Sequence, residues 1–230
     1  MAQQFLYRPE VRAALEDVRR RRVPEAVRAD VGRPGSALAA RTFPGGPRQV
    51  ASSVAAAVRA YRAGGVGATA KHFPGLGAAT SNTDDAPASL PLAATDLEPF
   101  KAAIAAGVPL VMASHALYPN VDGSHLASQS PALLRDLLRG RLGYRGAVIT
   151  DSMEAEAVTS RSSVETASQR ALLAGADLIL MTGDGSFRPV SLSLLARARR
   201  DRAFRDRVRA AAAQVLALKR SLGLSPPAAR

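Results

Sequence analysis

The chain has 230 residues, 47% of them apolar, and a formal charge of +12. That is enough apolar chain for one substantial core, whereas no stretch approaches the roughly 18 uncharged apolar residues that cross a bilayer. The absence of cysteine excludes disulfides and thiolate metal sites, and leaves the redox compartment open. The charge invites a nucleic-acid reading, because Arg19 to Arg22 form a basic run and arginines recur from Arg197 to Arg209. However, only Lys71, Lys101 and Lys219 are lysines, so the excess is almost all arginine. Beside abundant alanine, that reads as a bias of the coding sequence. Aromatics make up 4% of the residues, too few for the stacking platforms that hold single strands. The arginines therefore read as solvated helix faces, and no nucleic-acid partner is expected.

The start, Met1-Ala-Gln-Gln-Phe-Leu-Tyr-Arg-Pro, carries no basic segment followed by an apolar one. No signal peptide can be read there, and the compartment stays unknown. Residues 8–22 predict a charged helix that ends before Pro24. Residues 26–47 are rich in glycine and proline and read as irregular, with Val27 to Val31 as the one candidate strand. Val50, Val54, Val58 and Tyr61 recur at helical spacing and predict a helix from Pro47 to Ala63, ended by Gly64-Gly65.

From there strands and helices alternate. Strands are predicted at Val66–Phe73, Val108–Ala116, Ala147–Thr150 and Ala176–Met181. Helices are predicted at Leu97–Ala106, from Ser130-Pro131 to Leu142, at Ser163–Leu173, and over most of the remainder to Leu222. Ser130 suits the N-cap and Pro131 the first helical position. Short apolar strands separated by helices predict an α/β fold with a parallel sheet covered on both faces. A closed (β/α)8 barrel takes about 250 residues, and four or five strands fall short of its eight. The sheet is open, or the chain lacks part of a barrel.

Chemistry gathers at strand ends. The run Gly146-Ala-Val-Ile-Thr-Asp151-Ser-Met stops an apolar strand at a lone carboxylate. Lys71-His72-Phe-Pro-Gly-Leu-Gly77 does the same with two cationic groups. The C-terminal tips of parallel strands are where barrels and open α/β sheets carry their working residues. An N-cap role for Asp151 competes on local sequence alone. His115 closes its strand in the same register, while His125 reads as a loop residue in the turn Asp122-Gly-Ser-His. Asp177 begins a strand and so sits at the opposite, stabilising end.

Four segments together resemble glycoside hydrolase family 3. They are Arg41-Thr-Phe-Pro-Gly, Ala68-Thr-Ala-Lys-His-Phe-Pro-Gly75, Val111-Met-Ala-Ser-His115, and the run from Ser130-Pro through Leu142-Gly-Tyr to Val148-Ile-Thr-Asp-Ser-Met153. They occur in the family's order, and the likeness is strongest to its bacterial β-N-acetylglucosaminidase branch. The resemblance implies a partial (β/α)8 TIM-type barrel lacking its first βα units. The expected division is a charged helical segment over 1–27, the partial catalytic barrel over 28–222 and a disordered tail over 223–230.

The resemblance further implies retaining hydrolysis of terminal β-linked N-acetylglucosamine or a related β-glycoside. Asp151 matches the nucleophile, and Arg41, Lys71 and His72 match groups that bind sugar hydroxyls; His115 is a further candidate there. A retaining glycosidase needs a carboxylate to attack the anomeric carbon and a second group to protonate the leaving oxygen. No metal or organic cofactor is expected, and the partner is a carbohydrate. The alternatives are a β-glucosidase of the same family or an inactive sugar-binding relic.

Two departures from the family's pattern stand out. The branch carries an Asp-Ser-His arrangement after Lys-His-Phe-Pro-Gly as its general acid/base. Here Asn82 takes the Asp position, Thr83 the Ser position and Asp84 the His position. Asp84 could substitute, if it is protonated near neutrality, although Asn82-Thr-Asp-Asp85 is also good turn chemistry. The second departure is the missing set of βα units before Arg41. A sheet without its first strands exposes an unpaired edge. The chain is therefore expected to be a shortened form of a longer enzyme, or to complete its sheet by self-association.

Overall fold

Five runs of small and β-branched residues pair into one parallel sheet in the computed structural model, which describes residues 25–183 and 185–224. The strands are β1 (Glu25–Arg28), β2 (Ala68–Phe73), β3 (Leu110–Ala113), β4 (Ala147–Ser152) and β5 (Leu178–Leu180). They lie in chain order, β1-β2-β3-β4-β5, and every neighbouring pair is parallel. All four residues of β3 are buried, as expected of a strand covered on both faces. The first strand is expected at 27–31, but pairing ends at Arg28 opposite Lys71. One more ladder bond, Ala29 N–H to the Lys71 carbonyl at 2.8 Å, precedes the bend that carries Asp30 under β2. The expected helix over 8–22 and the tail beyond Leu224 lie outside the described residues.

The main helices are α1 (Pro47–Ala63), α2 (Glu98–Ala105), α3 (Ala132–Arg141), α4 (Val164–Ala174), α5 (Phe187–Arg200) and α6 (Arg202–Ser221). Helix α1 starts at a proline, whose fixed φ suits the first helical position, and buries Val50, Val54 and Val58 along one stripe. Gly65, at φ 74°, turns the chain out of it. Ser130 Oγ accepts the Leu133 N–H at 3.2 Å, the capping bond its sequence position suggested. Helix α3 itself departs from the expected α-helix, because it is wound with i→i+5 bonding throughout. Its leucines 133, 134, 137 and 138 are all buried. Ser163 caps α4 through the Thr166 N–H, and Asp201 caps α6 through the Phe204 N–H.

The core runs between the sheet and α1, α2 and α3, with Phe73 meeting Phe100 edge-on at 5.2 Å. A smaller cluster of Leu172, Phe204 and Ala211 ties α6 to α4. At the N-terminal end of β5, the buried Asp177 takes Arg139 at 2.7 Å, Arg207 at 2.6 Å and the Val148 N–H at 3.0 Å. Asp177 thus clamps β4, β5, α3 and α6 together, at the end of the sheet away from Asp151. Among the described residues the strands form an arc, not a closed ring: β1 and β5 each pair on one side only.

Candidate active site

Asp151 lies near the C-terminal tip of β4, after an apolar run that aligns Val148 with Val111 and Thr150 with Ala113. Its Oδ1 accepts the Ser152 N–H at 2.9 Å, and its side chain keeps 16% of its surface open to solvent. The free edge of the carboxylate is Oδ2, which stands 3.5 Å from Nε2 of His72 on β2. The two residues are adjacent although β3 lies between their strands in the sheet. Asp151 does not cap the helical turn that follows, whose N-cap is Ala155, and its carboxylate faces His72 instead.

His72 is held from below. Its Nδ1 donates to Asp30 Oδ2 at 2.8 Å, and its own backbone N–H also points at that carboxylate. Leu76 N–H donates to Asp30 Oδ1 at 2.7 Å. Burial alone would raise the Asp30 pKa, but the His72 charge, the His72 ring bond and the two N–H groups together hold it below the ordinary carboxylate range. With Nδ1–H committed to Asp30, Nε2 is left facing outward, 3.3 Å from Arg28 Nη1 and near Asp151. In the neutral ring Nε2 accepts from Arg28; in the cation it donates toward Asp151. Gly77 is required here, since a side chain at this position would run into the Val31 backbone as it leaves β1.

Three further cations stand on this rim. Lys71 is paired in register with Arg28. Burial, followed by the Arg28 charge, pushes the Lys71 pKa down, and Asp151 opposes that shift. Burial and then Arg41 lower that of Arg28. Arg41 closes a short helical turn, Ala39–Arg41, and is exposed. His72 thus stands at Asp151, Lys71 is near enough to feel its charge, and Arg41 is near enough to act on Arg28 and Lys71. Arg28 and Asp30 were not singled out, yet Asp30 fixes the histidine. The signal was present in Val27-Arg-Ala-Asp30, a short run ending on an acid just as β4 does.

His115 does not fit the sugar-contacting place expected of it. The residue is fully buried, its Nε2 bonds the Ser152 carbonyl at 2.9 Å, and its Nδ1 meets Ser128 Oγ at 2.8 Å. Nε2 must carry the proton to reach a carbonyl, so Nδ1 accepts from the serine, and neither nitrogen is left for a ligand. Burial lowers its pKa, against the opposing pull of the Asp151 charge. It positions the backbone next to Asp151 instead. Tyr118 plays a similar part beneath the rim, donating to the Gly75 carbonyl at 2.9 Å.

Asp84 is exposed on the loop after β2, where its Oδ2 accepts from Asn82 Nδ2 at 3.1 Å. That loop is fastened to the turn following β4: Glu156 N–H donates to the Asp84 carbonyl at 3.0 Å, and Ala157 N–H to the Thr83 carbonyl at 3.2 Å. Asp84 is thereby carried to the β4 side of the rim, close enough to act electrostatically on His115. Among the described residues, no group of three or more His, Asp or Glu is placed to hold a metal ion.

Residues 26–218 match the model of the glycosyl hydrolase family 3 N-terminal domain. The chain belongs to this family. It is similar to a β-hexosaminidase of Stenotrophomonas maltophilia (strain R551-3), with 41% identity over 157 residues, 66% of this chain and 47% of that protein. A β-hexosaminidase of Xanthomonas campestris pv. campestris (strain B100) is 39% identical over 157 residues, with the same shares of each chain. Among solved structures, a family 3 β-N-acetylglucosaminidase from Paenibacillus sp. FPU-7 superposes with a TM-score of 0.84 at 34% identity. That match covers 90% of this chain and 41% of the other. The β-N-acetylhexosaminidase of Beutenbergia cavernae gives 0.80 at 34% identity, covering 86% and 62%. The chain spans about half the length of the curated relatives it matches. Its five-stranded α/β sheet is accordingly part of a TIM-barrel-type domain.

Proposed function

We propose that the chain carries the nucleophile half of a retaining β-N-acetylhexosaminidase site, acting on terminal β-linked N-acetylglucosamine. The observation that carries this reading is the open Asp151 carboxylate at the tip of β4, with His72 Nε2 at 3.5 Å. In this reading Asp151 attacks C1 of the sugar as the bond to the leaving oxygen breaks, giving a glycosyl-aspartate. Asp84 gives its proton to the departing oxygen. In the second step it takes one from water, which opens the ester and releases the sugar with its configuration retained. Lys71, His72 and Arg41 hold the sugar hydroxyls around the attacking carboxylate. The names of the similar proteins support the acetamido sugar; a β-glucoside is the alternative substrate within the family.

The unit that does this is proposed to be the partial barrel of residues 28–222, with the open edge of β1 completed by self-association. Incubation with a 2-fluoro glycoside that has an activated leaving group, followed by peptide mass spectrometry, tests the chemistry. The expected result is a sugar adduct on the peptide containing Asp151, absent in Asp151→Asn. Saturable sugar binding without any adduct would favour a sugar-binding relic instead.

A further inference from the structure

The described residues contain a second polar concavity that shares no residue with the Asp151 site. It has a volume of about 250 Å3 and lies between the loop after β3 and helix α4, lined by Ser124, His125, Leu126, Gln129, Arg161 and Arg170. Two features of its lining point to a ligand. Gln129 is only 6% exposed, yet its side-chain amide makes no hydrogen bond among the described residues. The amide atoms are reached by solvent and Gln129 lines the concavity, so a ligand there would take over the bonds that water makes to the amide. Arg161 and Arg170 add two guanidinium groups, neither of which pairs with a carboxylate among the described residues.

The acid nearest in sequence to this lining is already committed. Asp122 accepts from the N–H groups of Ser124 and His125, from the His125 ring at 3.1 Å and from Ser130 Oγ at 2.7 Å. Burial works against its ionisation, but these bonds outweigh it and keep the carboxyl below its usual range. Among the described residues the pocket thus presents two guanidinium groups without a carboxylate partner and one side-chain amide without a bonded partner, with the local acid turned to its own turn.

Size and charge narrow the occupant. The volume falls below the roughly 300–1,000 Å3 of pockets that hold drug-sized molecules, so a group of a few atoms fits. Two guanidinium forks and an amide N–H supply several donors, the set that recognises a carboxylate or a phosphate. We propose that this pocket binds a small oxyanion, a phosphate or carboxylate group, independently of what Asp151 does.

Calorimetric titration of the whole chain with inorganic phosphate, and separately with acetate, at low ionic strength tests the site. One-to-one saturation by either probe is expected, and the tighter probe identifies the chemistry. Loss of the charge-assisted bonds in R161Q/R170Q should weaken binding by about tenfold or more. Gln129→Leu should weaken it by about threefold, with circular dichroism showing the fold retained. Arg41→Gln and Lys71→Met should leave it unchanged. Absence of saturation by both probes would overturn the proposal. So would binding that survives R161Q/R170Q but is lost in Arg41→Gln or Lys71→Met, because the anion would then lie on the Asp151 rim.

Discussion

Asp30 supports the rim by satisfying three donors at once, the His72 ring, the His72 N–H and the Leu76 N–H. Asp30→Ala leaves all three without a partner in a buried place. Breaking a buried pair in this way costs about 3–5 kcal/mol, to be read as a lower urea midpoint with unchanged slope. His115 makes a prediction in pH. Its folded pKa lies below the ordinary histidine value of 6.5, so between those two values the unfolded chain binds a proton that the folded chain refuses. Stability is therefore full above the unfolded value and declines as pH falls below it, by up to about 1.4 kcal/mol per unit. Asp30 has the same sign lower down, because its depressed pKa means stability is lost as pH falls below the ordinary carboxylate value. Unfolding midpoints measured from pH 7 to pH 5 should fall, and His115→Gln should remove most of that slope. Asp84 is tested by its leaving-group dependence. Asp84→Asn should cut hydrolysis of poor leaving groups by about 10²–10⁴-fold while sparing sugar binding, and unchanged rates would rule out its proposed role.

At the scale of elements, most of the fold was legible because burial imposes short periods on the sequence. The stripe Val50-Val54-Val58 and the run Ala147–Thr150 each had one physical solution, a helix face and a covered strand. The i→i+5 winding of α3 was not legible, since its leucines 133, 134, 137 and 138 suit an α-helix equally well. Nor was the support given by His115, which depends on Ser128 and Ser152, partners set by the packing of separate segments. Asp30 was legible in principle but sat in a stretch dominated by glycine and proline. The approach of that stretch to β2 gives a test at Gly77. A methyl group there would collide with the Val31 backbone, and overpacking of this kind costs about 1–3 kcal/mol. Gly77→Ala should lower the melting temperature and disturb the Asp30–Leu76 bond, seen as faster exchange of the Leu76 amide.

Across the whole molecule, the open question is how an arc of five strands manages its ends. Among the described residues, nothing pairs with the outer side of β1, and such an edge is a template for another strand. Size-exclusion chromatography over a range of concentrations should therefore show a dimer or larger species in equilibrium with the monomer. A single cooperative monomer at all concentrations would oppose completion of the sheet by a second copy. The +12 charge disfavours association at low ionic strength, so the larger species should gain population as salt is added.

The attachment of the Thr83–Asp84 carbonyls to the amides of Glu156 and Ala157 has a mechanical consequence. Swinging that loop aside would break two main-chain hydrogen bonds and expose Thr83, which is almost wholly enclosed. The loop after β2 is therefore latched to the turn that follows Asp151. The stretch that bears Arg41 is latched to the same loop, through the Arg33 N–H on the Gly77 carbonyl at 3.1 Å and the Ala37 N–H on the Ala79 carbonyl at 3.0 Å, so displacement of any one of these three rim segments is resisted by the other two.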